Sequence, residues 1–146
     1  ENIKMKRLSG EIRYIVALVR ALAKLKPWHM TLQWDGGGYE GPAYLLSVCN
    51  TARTGGFMMA PGALLDDGQL DMVFAPQVSK GQVISILLKL MRGEHIHHPA
   101  VTFQRVTAID VISRPGTPLH SDGEIFAEAA EVVRYRVLPG RVRLLS

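Results

Sequence analysis

The tetrapeptide Ser121-Asp122-Gly123-Glu124 sets two carboxylates on either side of a glycine, so that a turn brings both to the same place. A carboxylate held there can take a proton from a hydroxyl during phosphoryl transfer, while the second acid orients it or reaches a metal. The same four residues also describe a plain Asp-Gly hairpin turn. A second candidate is the stretch from Gly55 to Asp71, GGFMMAPGALLDDGQLD, which has neither the period of a helix nor that of a half-buried strand. Its glycines and Pro61 force turns, and Asp66-Asp67-Gly68 puts carboxylates on a tight turn beside free backbone carbonyls. Such a turn can hold a hard cation or simply join two strands. The third candidate is Glu94 with His95, His97 and His98. Imidazole and carboxylate are zinc ligands, but two of the histidines are adjacent and Pro99 marks the run as a loop, so a surface or interdomain loop is the expectation. Ser121 has no base partner in the pattern, and neither a Walker loop nor a GxGxxG after a strand is present.

Several function classes are excluded by composition. The chain has 146 residues, enough for one domain with a sizeable core. The single Cys49 sits in an apolar run and reads as a buried structural thiol in a reducing compartment. No apolar run approaches the roughly 20 residues that span a bilayer, and no signal-peptide pattern is present. A cytoplasmic protein that is not transmembrane is expected. The net charge of +4 is uneven, because the first 26 residues alone carry +5. The remainder is about neutral, which argues against a nucleic-acid partner and for a local basic face suited to anionic headgroups or to solvent. The start at Glu1-Asn2-Ile3 reads as a piece of a longer protein.

These candidates must be positioned by the elements between them. Leu8, Ile12, Ile15, Leu18, Val19, Leu22 and Leu25 recur at helical spacing from about Lys4 to Lys26, and Pro27 stops that helix. Trp28, Met30, Leu32 and Trp34 alternate with polar residues, as in a strand with one buried face, and Gly36-Gly37-Gly38 turns the chain into an apolar strand from Pro42 to Asn50. These two form an antiparallel hairpin whose second member is central. Leu70 to Ala75 reads as a further strand. Ser79 with Gln82 forms a capping box for a second helix bearing Val83, Ile84, Leu87, Leu88 and Met91 on one face, and Gly93 ends it. Four more strands are expected at Val101 to Ser113, Leu119 to Phe126, Val132 to Leu138 and Val142 to Leu145, with Arg114-Pro115-Gly116 and Pro139-Gly140 among the breaks. The fold class is α+β, a mainly antiparallel β-sandwich with two helices.

Asn50 through Asp71, Arg92-Gly93-Glu94-His95 with His98-Pro99, Asp122-Gly123-Glu124 and Val137-Leu138-Pro139-Gly140 together resemble, in one order, the C-terminal domain of the diacylglycerol kinase catalytic family, which includes bacterial diacylglycerol kinases, sphingosine kinases and ceramide kinase. The resemblance covers nearly the whole chain. It departs at Thr54, where the family often carries a glycine. The resemblance implies that residues 1–146 are the C-terminal β-sandwich domain of a two-domain lipid kinase, whose N-terminal domain, absent here, binds ATP through a GGDGT-type loop. It further implies Glu124 as general base and Asp122 as its support. A structural Mg²⁺ would be held by the carbonyls of Leu64 and Gln69 and the carboxylate of Asp67. Asn50, Gly55, Gly56, Phe57 and Met58 would contribute to substrate binding, although apolar loop residues beside strands also serve as core.

On this reading the complete protein is an ATP-dependent kinase acting on diacylglycerol or a related lipid at the membrane surface, cytoplasmic and peripherally associated, with homodimerisation open to it. The isolated fragment would be inactive. An NAD-kinase-like phosphotransferase shares the implied architecture. A non-catalytic membrane-binding module would use only the basic first helix.

Overall fold

A computed structural model describes residues 20, 23–54 and 56–142. Six strands form one sheet in the order β4-β3-β2-β1-β5-β6: β1 (Trp28–Trp34), β2 (Gly37–Cys49), β3 (Leu70–Pro76), β4 (Thr102–Val106), β5 (Ala108–Ser121) and β6 (Glu124–Arg136). Every pairing is antiparallel. The alternation read in Trp28 to Trp34 is the alternation of burial, with Met30 and Leu32 inward and His29, Thr31 and Gln33 outward. Opposite them on the same face lie Ala43, Met72, Phe74, Val106, Ile109 and Val111, which make the core together with the partly buried Trp28, Trp34 and Tyr39. Cys49 is a buried free thiol, as expected.

β3 departs from simple alternation because its residues from Asp71 to Ala75 are all buried. Arg105 Nη2, on the neighbouring strand β4, ties down the Asn50–Gln69 loop through the Gly62 carbonyl at 3.0 Å. Helix α1 (Lys80–Leu90) starts on the expected capping box: Ser79 Oγ accepts from the Gln82 N–H at 3.3 Å, and Gln82 Oε1 accepts from the Ser79 N–H at 3.1 Å. It ends with Gly93 N–H donating to the Leu90 carbonyl and Glu94 N–H to the Lys89 carbonyl, the paired bonds of a Schellman ending. A short 3-10 turn, His95–His97, follows.

The described strands are hydrogen-bonded into one continuous six-stranded sheet that folds over a shared core: Trp34 Nε1 of β1 donates to Gln104 Oε1 of β4 at 3.0 Å, although the two strands are three places apart in the sheet. Among the described residues one helix, α1, is laid out in full; the expected first helix, Lys4 to Lys26, lies almost wholly outside them. None of α1's apolar residues is fully buried, and Ile84, Leu87, Leu88 and Met91 are exposed.

The C-terminal strands are also divided differently. The expected Val101–Ser113 strand is broken at Thr107, where Asp35 intervenes. Its carboxylate accepts from the Thr107 N–H at 3.0 Å and from the Ala108 N–H at 3.2 Å, removing those donors from the ladder. Arg114-Pro115-Gly116 does not end a strand. The register shifts there and β5 continues, since a bulge accommodates a proline without an N–H. Leu119–Phe126 is not one strand but the two sides of a hairpin. Val142 lies outside any strand, and residues 143–146 lie outside the described residues.

Candidate functional site

Two acidic features lie apart in the fold. β2 and β5 are both antiparallel to β1 and therefore run in the same direction, and β5 continues past Trp28 into the Ser121–Glu124 turn. The Gly68 end of the Asn50–Gln69 loop lies by the other end of the β5–β6 hairpin: a Cβ on Gly68 would meet Pro139 Cγ at 3.8 Å, and Pro139 follows β6 just past the Arg136–Ala108 pair.

The β5–β6 turn consists of Asp122 and Gly123, with Ser121 paired to Glu124. Their φ angles are 51° and 90°, the two positive values of a type I′ hairpin, whose twist matches that of the flanking strands. Glycine takes this conformation without penalty and aspartate is among the side chains that tolerate it. The plain hairpin turn and the carboxylate pair are thus one structure. Asp122 and Glu124 line a cleft of about 350 Å³ with Ser121, Ile125 and Phe126. Both acids are exposed, and Phe126 is 77% exposed beside them. A solvated carboxylate next to bare apolar side chains can accept a proton from an alcohol carried on a hydrocarbon body.

The Asn50–Gln69 loop has a different character. Asn50 lies on an exposed bend directly after β2. Thr54 and Phe57 exchange backbone bonds of 3.0 and 3.1 Å, closing a small bridge around Gly56 and Gly55, the latter outside the described residues. Phe57 is 51% exposed, whereas Met58 is half-buried and Ala60 fully buried. Leu64 is exposed. Asp67 Oδ1 accepts from the Gln69 N–H at 2.9 Å, which stiffens the turn, but its Oδ2 is buried without a hydrogen-bond partner.

Asp71, on β3, is 0% exposed and stands opposite Arg105 of β4. Arg105 Nε donates to Asp71 Oδ1 at 3.4 Å, while Asp71 Oδ2 is again without a partner. Burial raises the Asp71 carboxyl above the ordinary carboxylate range against the pull of Arg105, and the charge of Asp67 adds to the rise. Two buried carboxylate oxygens lacking donors, on one short stretch, are the donor set a hard cation satisfies. Among the described residues no three His, Cys, Asp or Glu side chains form a metal cluster. A cation at this turn would therefore draw on backbone carbonyls and water, as Mg²⁺ readily does. The residues present fit that ion.

The histidines are not a surface loop. His95 is 2% exposed and His98 is also buried, leaving only His97 outside. Burial lowers the pKa of His95. His98 Nδ1 accepts from the Ala100 N–H at 3.2 Å and shapes its own turn. Asp71 and Arg105 were not singled out from sequence, although an acid inside the apolar run LDMVFA was a usable signal, since a buried charge needs a partner.

A small, sheet-dominated α+β domain with an acidic hairpin tip and a braced acidic loop defines the class of protein. The family described as the YegS C-terminal NAD kinase beta sandwich-like domain matches residues 2–146, and the chain belongs to it. A diacylglycerol kinase of Staphylococcus aureus strain bovine RF122 / ET3-1 is 29% identical over 122 residues, covering 83% of this chain and 39% of the relative. The diacylglycerol kinase of strain JH9 matches at the same identity and coverage. Among solved structures, a putative diacylglycerol kinase from Bacillus anthracis strain Sterne superposes with a TM-score of 0.68 at 20% identity, covering 87% of this chain and 41% of that one. A second from the same strain gives 0.65 at 19% identity. These structures share the fold. The chain spans about two-fifths of the length of the relatives it matches.

Proposed function

We propose that this chain is the C-terminal part of an ATP-dependent lipid kinase that phosphorylates the hydroxyl of diacylglycerol or a related lipid. The observation that carries the reading is the hairpin tip, where Asp122 and Glu124 share a cleft with the exposed Ile125 and Phe126. The diacylglycerol kinase names of the curated relatives point the same way. In this reaction the Glu124 carboxylate accepts the lipid hydroxyl proton as that oxygen bonds to the γ-phosphorus and the bond to ADP breaks. Asp122 holds Glu124 in orientation, and the rigid turn fixes both before substrate arrives. Ile125 and Phe126 meet the hydrocarbon next to the hydroxyl, and the family resemblance assigns Asn50, Gly55, Gly56, Phe57 and Met58 of the loop to substrate binding as well.

ATP binds mainly to polypeptide beyond this chain. Asp67, with the carbonyls of Leu64 and Gln69, would hold a Mg²⁺ whose contribution is to neutralise buried carboxylates and stiffen the turn. Work at a cytoplasmic membrane surface requires no spanning segment, and among the described residues no helix is long and apolar enough to cross a bilayer.

The test is Glu124→Gln in the complete protein, assayed with ATP and dispersed diacylglycerol. Loss of lipid phosphorylation with an unchanged melting curve is expected; full activity would remove Glu124 as the base. The family description also names NAD kinase, so NAD is run as a parallel acceptor. Phosphorylation of NAD but not lipid would replace this proposal with the NAD-kinase-like one.

A further inference from the structure

The loop bearing Phe57 and Met58 is seized from behind by a residue that neither acidic feature uses. His95, on the 3-10 turn after α1, places its Nε2 2.9 Å from the Met59 carbonyl, 36 residues away in sequence. A carbonyl only accepts, so the imidazole is the Nε2–H tautomer and donates. Its Nδ1 is buried with no hydrogen-bond partner. We infer that His95 is a positioning residue: its Nε2–H bond to the Met59 carbonyl clamps the Gly56–Pro61 segment in the conformation that presents Phe57 and Met58 to the lipid. The inference rests on the function proposed above.

Three further observations support the clamp. Gly93, with φ 71°, lies against the same loop. A Cβ there would come within 3.1 Å of Met58 Sδ and 3.5 Å of Pro61 Cγ, so a side chain would push the loop away. Ala60 is fully buried and its N–H donates to the Ala52 carbonyl of the same loop at 3.1 Å, so the segment His95 holds is folded compactly on itself. Arg105 takes the Gly62 carbonyl at 3.0 Å and secures the far end.

The energetics identify the task as placement. A buried ring with one nitrogen unsatisfied is a poor way to fill space, because an apolar side chain of similar volume carries no such desolvation cost. The one bond it makes is the return. His98 provides the contrast, since its bond stays within its own turn and fixes nothing remote.

The test uses the complete protein with ATP and dispersed diacylglycerol and three variants. Glutamine places its amide nitrogen as many bonds from Cβ as His95 Nε2, asparagine falls short, and leucine has no donor. Expected for His95→Leu and His95→Asn is a rise of about tenfold in the KM for lipid, the size of one buried bond left unmade. Their kcat and KM for ATP stay within about twofold of the parent, as a ground-state positioning loss requires. Amide exchange quickens in residues 56–63 and not in β1 or β2, and His95→Gln restores both readouts.

Gln behaving no better than Asn, unchanged exchange at 56–63 in the Leu variant, or a fall in kcat at constant KM would overturn the clamp. Where the Leu variant does not fold, the Gln and Asn pair carries the decision. Should the parent protein phosphorylate no lipid at all, the proposed function falls, and exchange at 56–63 decides the clamp by itself.

Discussion

The hairpin tip and the Asn50–Gln69 loop are held in place by opposite means. The tip is defined by two backbone residues. Asp122 and Gly123 adopt the positive φ angles of a type I′ turn, the strands on either side set the register, and the functional side chains stay exposed. The loop is defined by remote partners: Arg105 from β4 on Gly62, His95 from the 3-10 turn on Met59, and Asp71 buried beneath it. A group that exchanges protons with a substrate gains from a solvated position on a stiff turn. A loop with no periodic structure gains only from being pinned. The difference teaches that an acid's environment, more than its presence, separates chemistry from scaffolding.

The comparison can be broken at its strongest point first. Glu124→Gln in the complete protein is expected to reduce kcat for lipid phosphorylation by about a hundredfold or more, the contribution of a general base, with no change in melting temperature. A tenfold smaller loss would make the tip a binding feature. Next, Arg105→Met leaves Asp71 buried without its cation and frees the Gly62 carbonyl. It should lower unfolding free energy by about 2–3 kcal/mol in urea denaturation. A loss below about 0.5 kcal/mol would show that the loop is not pinned from β4.

Smaller effects sharpen the contrast. Mg²⁺ at ten times its dissociation constant should stabilise the protein by about 1.4 kcal/mol, and Asp67→Ala should cancel the gain. Identical melting curves in EDTA and Mg²⁺ would remove the cation from the loop and leave Asp67 as a turn residue alone. Last comes Asp35, outside both features. The Thr107 backbone N–H, with the Ala108 N–H and the Thr107 hydroxyl, holds its carboxyl below the ordinary 3.8. A depressed folded-state pKa gives stability that is complete above that ordinary value and is lost as pH falls through the depressed one. Asp35→Asn should flatten the acid limb below pH 3.8 and leave the neutral limb parallel to the parent's. An unaltered acid limb would mean that this carboxylate does not hold the β4–β5 corner.

Much of the fold was legible because its signals are local. The alternation in Trp28 to Trp34, the Ser79–Gln82 box and the Asp-Gly turn at 122–123 each operate within a few residues, and each is present as read. The errors fell where distant partners intervene. Arg114-Pro115-Gly116 has the composition of a turn, yet β6 pairs with β5 on both sides of it and carries it as a bulge. Thr107 has no breaking signal of its own; Asp35, reaching across from the β1–β2 turn, supplies the break.

For the candidate site the division is similar. The sequence by itself determined the residue types and their local geometry: a carboxylate on each side of a glycine at 122–124, an acidic turn at 66–68, and histidines in a turn after a capped helix. Only the tertiary structure decided that the Gly68 end of the loop lies beside Pro139, away from the hairpin tip, that Asp71 is buried against Arg105, and that His95 reaches Met59. The physical reason is range. Dihedral preferences and side-chain periodicity act over a few residues and are written in the chain, whereas burial and long-range hydrogen bonds exist only once the sheet has chosen which strands are neighbours.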